Sequence, residues 1–141
     1  MTKEDYIKRI NETGTFIRHN HMRITDVGED YAQGEMELTD HLLNHYSSVH
    51  GGALFALADT VAGVAATSRK TVCVTLSANI NYFKGASSGK ITATAKMASR
   101  TSRTAIFEVE LTNEKGELLA KSIYTYYDTK KPFERGHALS E

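Results

Sequence analysis

Asp59 lies in a run, Ala53 to Ala66, that is otherwise apolar apart from its neighbour Thr60. An ionised carboxylate in such a setting is costly unless hydrogen bonds or water compensate it. Two readings fit. One is an Asp tied into the core by backbone groups or a hydroxyl such as that of Thr60; the other is a carboxylate facing a pocket, usable as a base or nucleophile. Immediately before the run stands His50-Gly51-Gly52. Two glycines opening a helix expose N–H groups at the positive end of its dipole with no side chain in the way, an arrangement suited to a developing oxyanion. A tight loop-to-helix turn without any ligand would use the same pair. The eight residues separating Gly51 from Asp59 span about 12 Å on a helix, too far for one acyl group to touch both. If the two serve one reaction, Asp59 must come from a second subunit whose helix runs antiparallel, and a two-fold dimer then holds two equal sites.

Other polar residues fall near this pair. Asn44 precedes it on a polar loop, where its amide could hold a carbonyl or orient water, or simply form a turn. Thr75 and Ser77 occupy the polar face of the following strand and could hydrogen-bond to a carboxylate or water. Six histidines include His19 and His21 in His-x-His spacing and the neighbours His41 and His45, but no Cys or carboxylate cluster has zinc-site spacing. No metal is expected, and there is neither a phosphate-binding glycine loop nor a Gly-x-Ser-x-Gly elbow.

The elements that must position these residues follow from periodicity. Thr2 to Thr13 reads as a helix capped by Thr2, with Asp5 three residues on and Gly14 as its stop. Strands are predicted over His21 to Val27 and Tyr31 to Leu38. A largely apolar helix over His50 to Ser68 has alanines where other helices carry charge, predicting burial on most sides and close approach by a backbone or ligand. Period-2 runs follow over 72–83, 91–98, 104–112 and 118–127, with turn residues at Ser87-Ser88-Gly89 and Asn113 to Gly116. Consecutive strands with short turns predict an antiparallel meander, and with one buried helix an α+β layer architecture. Residues 1–132 form one domain, and 133–141, after the single Pro132, are expected to be a loose tail. Seventeen basic residues balance seventeen acidic ones, so no net field favours nucleic acid or an anionic membrane. No run reaches the roughly 18 apolar residues of a membrane span. The single Cys73 excludes an internal disulfide. With a charged start lacking the apolar stretch of a signal peptide, these features point to the cytoplasm.

Asn44-(five residues)-His50-Gly51-Gly52-(six residues)-Asp59 resembles the signature of hotdog thioesterases of the phenylacetic-acid-degradation type, and the resemblance extends from about Asp26 to Tyr127. It implies a hotdog fold, in which a curved antiparallel sheet wraps one long helix, and dimers that pair into tetramers. It implies hydrolysis of acyl-CoA thioesters without metal or redox cofactor. Gly51 matches the residue whose N–H polarises the thioester carbonyl, Asp59 the acidic residue acting on the partner subunit's substrate, and Asn44 the residue that positions thioester or water. Thr75 matches a Ser or Thr beside the water, and His50 a supporting His. Relatives often carry Gly where this chain has Ser47, which predicts a different loop path. Tyr82 to Gly85 resembles the strand end near the CoA arm, making Lys84, Arg100 and Arg103 candidates for its phosphates or, equally, solvated surface charges. A non-catalytic acyl-CoA sensor and a hydratase using a carboxylate and a His are the rival functions.

Overall fold

Thr2 caps the first helix as its spacing to Asp5 predicts. In a computed structural model describing residues 2–132, the Thr2 side chain accepts from Asp5 N–H at 3.1 Å, and the Asp5 carboxylate accepts from Thr2 N–H at 3.4 Å, opening α1 (Lys3–Thr13). Gly14 ends α1 and begins a one-turn helix, α2 (Thr15–His19), which the sequence reading did not anticipate. The strands are β1 (Met22–Gly28), β2 (Tyr31–Glu37), β3 (Thr71–Tyr82), β4 (Lys90–Arg100), β5 (Thr104–Thr112) and β6 (Leu118–Pro132), and the long helix is α3 (Gly51–Ala66). The expected loose tail, 133–141, lies outside the described residues.

All six strands form one antiparallel sheet in the order β1-β2-β4-β5-β6-β3. The meander expectation is therefore corrected for β3, which pairs with β6 at the far edge and not with its successor β4. The reason lies in α3, which fills the concave face and displaces β3 to the other side. Ala58, Ala62, Ala65 and Ala66 are fully buried, and a Cβ on Gly34 of β2 would come within 2.7 Å of Val61. The small residues thus serve close packing of helix on sheet within the chain. Gly51–Arg69 is long and apolar enough to pass as a membrane span by composition, and here α3, which makes up most of it, is the core helix packed on the sheet.

The two sheet edges differ. At β1 the Asn11 side chain of α1 acts as a strand partner, accepting from Ile24 N–H at 2.7 Å and donating through Nδ2 to Ile24 C=O at 2.9 Å. Among the described residues no element covers the β3 edge. Val74 and Leu76 are about half exposed, at 49% and 58%, and an open apolar edge of this kind is a template for pairing.

The C-terminal end of α3 is held by a buried ion cluster. Arg100 Nη2 donates to Asp30 Oδ1 at 3.0 Å and to the Ala66 carbonyl at 3.2 Å, and its Nη1 lies 3.8 Å from Asp128 Oδ2. The Arg69 hydrogen bonds, followed by Arg100, hold the Asp30 carboxyl below the usual range. Burial would raise Asp128, but the Lys130 N–H and the other donors outweigh it and hold it low. A carboxyl depressed in the folded state binds protons more readily when unfolded. Its stabilisation is therefore complete above the unfolded value of about 3.9 and is lost as pH falls through the depressed folded value. Thermal unfolding scans from pH 7 to pH 3 are expected to show Tm dropping steeply below about pH 4. Arg100→Met is expected to lower Tm at pH 7, at a cost of about 3 kcal/mol, and to flatten the acid drop.

Candidate active site

His50 is the N-cap of α3, and its Nδ1 accepts from Gly52 N–H at 2.8 Å. Its own N–H donates to Leu42 C=O at 2.8 Å. The imidazole is thus committed to shaping the first turn. Among the described residues Gly51 N–H has no protein acceptor, which leaves it as a donor at the positive helix end. The Gly51 carbonyl accepts from the Tyr82 hydroxyl at 2.9 Å, and a Cβ on Gly51 would sit 3.1 Å from Tyr82 Cζ. Close approach of this ring is a direct reason for glycine here.

Asp59, one face and two turns further along α3, is half-buried. Its Oδ1 accepts from Thr75 Oγ1 at 2.9 Å and from the Tyr126 hydroxyl at 2.8 Å. Among the described residues no protein donor reaches Oδ2, so one oxygen is clamped and the other remains available. Thr75 and Tyr126 are opposite each other in the β3–β6 ladder, and the register shifts immediately after them, at Leu76. That bulge breaks the simple alternation of the strand. It lets Thr75 and Tyr82 both reach α3, although strict period-2 numbering puts them on opposite faces.

Three tyrosines from the sheet are bonded to one stripe of α3. Tyr82 donates to the Gly51 carbonyl, Tyr124 to the Phe55 carbonyl at 2.7 Å and Tyr126 to the Asp59 carbonyl at 2.8 Å. These carbonyls are four residues apart, one per turn. The phenols fix the rotation of α3, so that Gly51 and Asp59 present the same face. Burial, with the Asp59 charge second, pushes the Tyr124 and Tyr126 hydroxyls well above the usual phenol range, and they stay protonated donors. Tyr82→Phe is expected to lower kcat about ten- to a hundredfold by loosening the Gly51 turn, with little change in KM. Steady-state kinetics alongside a Tm measurement checks this.

The remaining expected residues divide. Asn44 Oδ1 accepts from Tyr46 N–H at 2.9 Å and Ser48 N–H at 3.2 Å, so its carbonyl holds the loop and only its Nδ2 is left for a ligand. Ser47 takes φ 62°, the left-handed conformation that glycine favours, so a serine holds this turn at some strain. Lys84 pairs with Glu117 at the surface. Arg100 does not belong with it: the side chain is only 9% exposed and its guanidinium is committed to Asp30 and Ala66. Lys84 and the exposed Arg103 lie at opposite ends of β6, beside Leu119 and Asp128, about 30 Å apart along the strand. Rings of His19 and His21 gather at His41, with centroids 6.0 and 5.4 Å away, away from the carboxylate.

Residues 46–120, more than half of the chain, match the profile of the Thioesterase superfamily. The chain is similar to a putative esterase of Archaeoglobus fulgidus, with 32% identity covering 79% of this chain and 73% of that protein. It is also similar to the acyl-coenzyme A thioesterase PaaI of Escherichia coli, 31% identical over 69% of this chain and 70% of the other. Among solved structures, the E. coli PaaI protein from the phenylacetic acid degradation operon superimposes with a TM-score of 0.80 at 22% identity, covering 89% and 97% of the two chains. A thioesterase of Haemophilus influenzae does so with 0.82 at 22%, covering 97% and 95%. Profile, relatives and fold agree: the chain belongs to the thioesterase superfamily, with the hotdog fold and a PaaI-type sequence.

Proposed function

We propose that the protein hydrolyses acyl-CoA thioesters to the free carboxylic acid and CoA. The observation that carries this reading is the Asp59 carboxylate, clamped through Oδ1 and open at Oδ2, on the helix whose first residue has an uncommitted N–H. The Gly51 N–H receives the thioester oxygen. Asp59 removes the proton from an attacking water, or attacks the carbonyl carbon itself. In either case the negative charge develops on the oxygen held by Gly51, and collapse of the tetrahedral species expels CoA thiolate; in the second route this leaves an acyl anhydride on Asp59, which water then hydrolyses to the free acid and the restored carboxylate. Thr75 and Tyr126 hold the carboxylate, and Asn44 Nδ2 is the group left to orient the thioester. No metal or redox group enters these steps.

One subunit cannot place one acyl group against both Gly51 and Asp59. The open β3 edge supports a homodimer, in which β3 pairs antiparallel with its copy. Tyr82 lies beside Gly51 and Thr75 beside Asp59. Joining Gly51 to the partner's Asp59 therefore sets Tyr82 of one protomer against the partner's Thr75, with the two-fold axis near Ala78 and Asn79. Pairing of dimers into a tetramer and residence in the cytoplasm belong to the same reading. In this reading Lys84 of one protomer and Arg103 of the other are the candidates to meet the CoA phosphates, Lys84 exchanging its Glu117 partner for them.

Incubation with aliphatic and aromatic acyl-CoAs, followed by free-thiol detection, tests the activity. Thiol release dependent on the protein is expected. Binding without release would favour the acyl-CoA sensor, and loss of enoyl absorbance without thiol would favour the hydratase.

A further inference from the structure

Beside Asp59 the chain forms a cleft of about 270 Å³, bounded by Tyr6 and Ile10 of α1, Gly63 and Val64 of α3, and Thr75 and Tyr126 of the sheet. We infer that this cleft takes the acyl end of the substrate, and that Tyr6 and Ile10 set the length it accepts while Gly63 sets its width. The inference rests on the hydrolase reading for its reaction, but the cleft has its own physical argument.

The lining contains no Lys or Arg, and Asp59 is its one charged group. The phosphate-bearing arm of CoA is therefore unwelcome there, and a neutral acyl group is not. The reacting carbonyl carbon must lie next to Asp59, so whatever it carries on the side away from sulfur continues into the space adjoining that carboxylate. At about 30 Å³ per liquid-packed heavy atom, the volume suits an acyl group of about nine non-hydrogen atoms. Nine such atoms correspond to a medium-length aliphatic or a single-ring aromatic acyl group.

The floor is built to hold its position. Ile10 is 7% exposed and anchored in the core, Tyr6 shares a side-chain hydrogen bond with Thr67, and the Thr2 cap and Asn11 clasp fix the two ends of α1. Gly63 contributes width: a Cβ there would meet the Tyr126 hydroxyl at 3.6 Å, an ordinary contact, and so would protrude into the cleft without a clash.

The two walls allow substitutions with opposite effects. Tyr6→Ala deepens the cleft and Gly63→Ala narrows it. Alanine is the better helix former, so Gly63→Ala should raise Tm while it reduces space. The probes are S-(2-oxoalkyl)-CoA thioethers with 4 to 16 acyl-type carbons and S-phenacyl-CoA, which keep the carbonyl but cannot be hydrolysed. Their Kd values by calorimetry are measured beside kcat/KM for the matching thioesters. Wild type and Tyr6→Phe are expected to prefer probes of about nine heavy acyl atoms. Tyr6→Ala should move the preferred length upward by at least about two carbons, and Gly63→Ala should weaken S-phenacyl-CoA by about tenfold. Unchanged preferences in Gly63→Ala, with its fold intact, overturn the inference, whether or not Tyr6→Ala folds. If affinities follow the predicted order yet no thioester releases thiol, the cleft assignment stands and the hydrolase reading falls.

Discussion

Asp59→Asn is expected to lower kcat/KM for a CoA thioester by about 10²- to 10⁴-fold, the range for removing a positioned base. It should do so without unfolding the protein. The amide oxygen of Asn retains an acceptor for Thr75 Oγ1 and the Tyr126 hydroxyl, the two donors on Asp59 Oδ1, and the side chain keeps its volume. What disappears is the basicity of the oxygen that receives no protein donor. Circular dichroism and size-exclusion chromatography would confirm an unchanged fold and size, and thiol release would give the rate. A folded variant with wild-type turnover would remove Asp59 from the chemistry, and with it the functional reading of the tyrosine clamp.

The second large effect is a recovery. Gly51→Val places a side chain against the Tyr82 ring, which already lies 3.1 Å from where a Cβ would be, and blocks approach to the N–H. This variant alone is expected to lose about 10²- to 10³-fold in kcat, as for loss of an oxyanion donor. If each site combines Gly51 of one protomer with the partner's Asp59, unfolding and refolding the two impaired variants together restores activity. A mixed dimer then has one site with both groups intact and one with neither. Random pairing makes half of the dimers mixed, so about a quarter of wild-type activity returns. A site contained in one subunit would leave every mixed dimer inactive. The experiment thus tests the shared site without depending on the register of the β3 pair.

The chemistry-bearing segment was legible because its signals are local. A glycine pair before a long apolar run, and a carboxylate within that run, identify the helix start and the buried charge from neighbouring residues alone. The Thr2–Asp5 cap was local in the same way. The residues that were missed act at long range. Tyr82 stood out only as part of a strand end near the CoA arm, and Tyr124 and Tyr126 only as members of a strand, and only the fold brings their hydroxyls to carbonyls spaced one turn apart on α3. Tyr124 and Tyr126, two apart on one strand, did share a face in the sequence, which was the available clue. Arg100 carried no mark of burial in its surroundings, since Asp30 and Asp128 are distant in sequence. The placement of β3 next to β6 depends on where α3 packs, and period-2 patterning contains no information about which strand is the neighbour.

The Asn11 clasp on Ile24 has a consequence for how far such sheets can grow. An open edge behaves as a binding valence. A sheet with two of them is bivalent, and bivalent units can add end to end without limit, the route to fibres. Here one side-chain amide occupies the strand position at β1, leaving β3 as the open edge among the described residues. Units of valence one stop at a pair. In the dimer proposed above, the Asn11 clasp blocks the edge opposite the pairing strand, so growth by edge pairing stops at two copies, and that limit rests on two hydrogen bonds from α1.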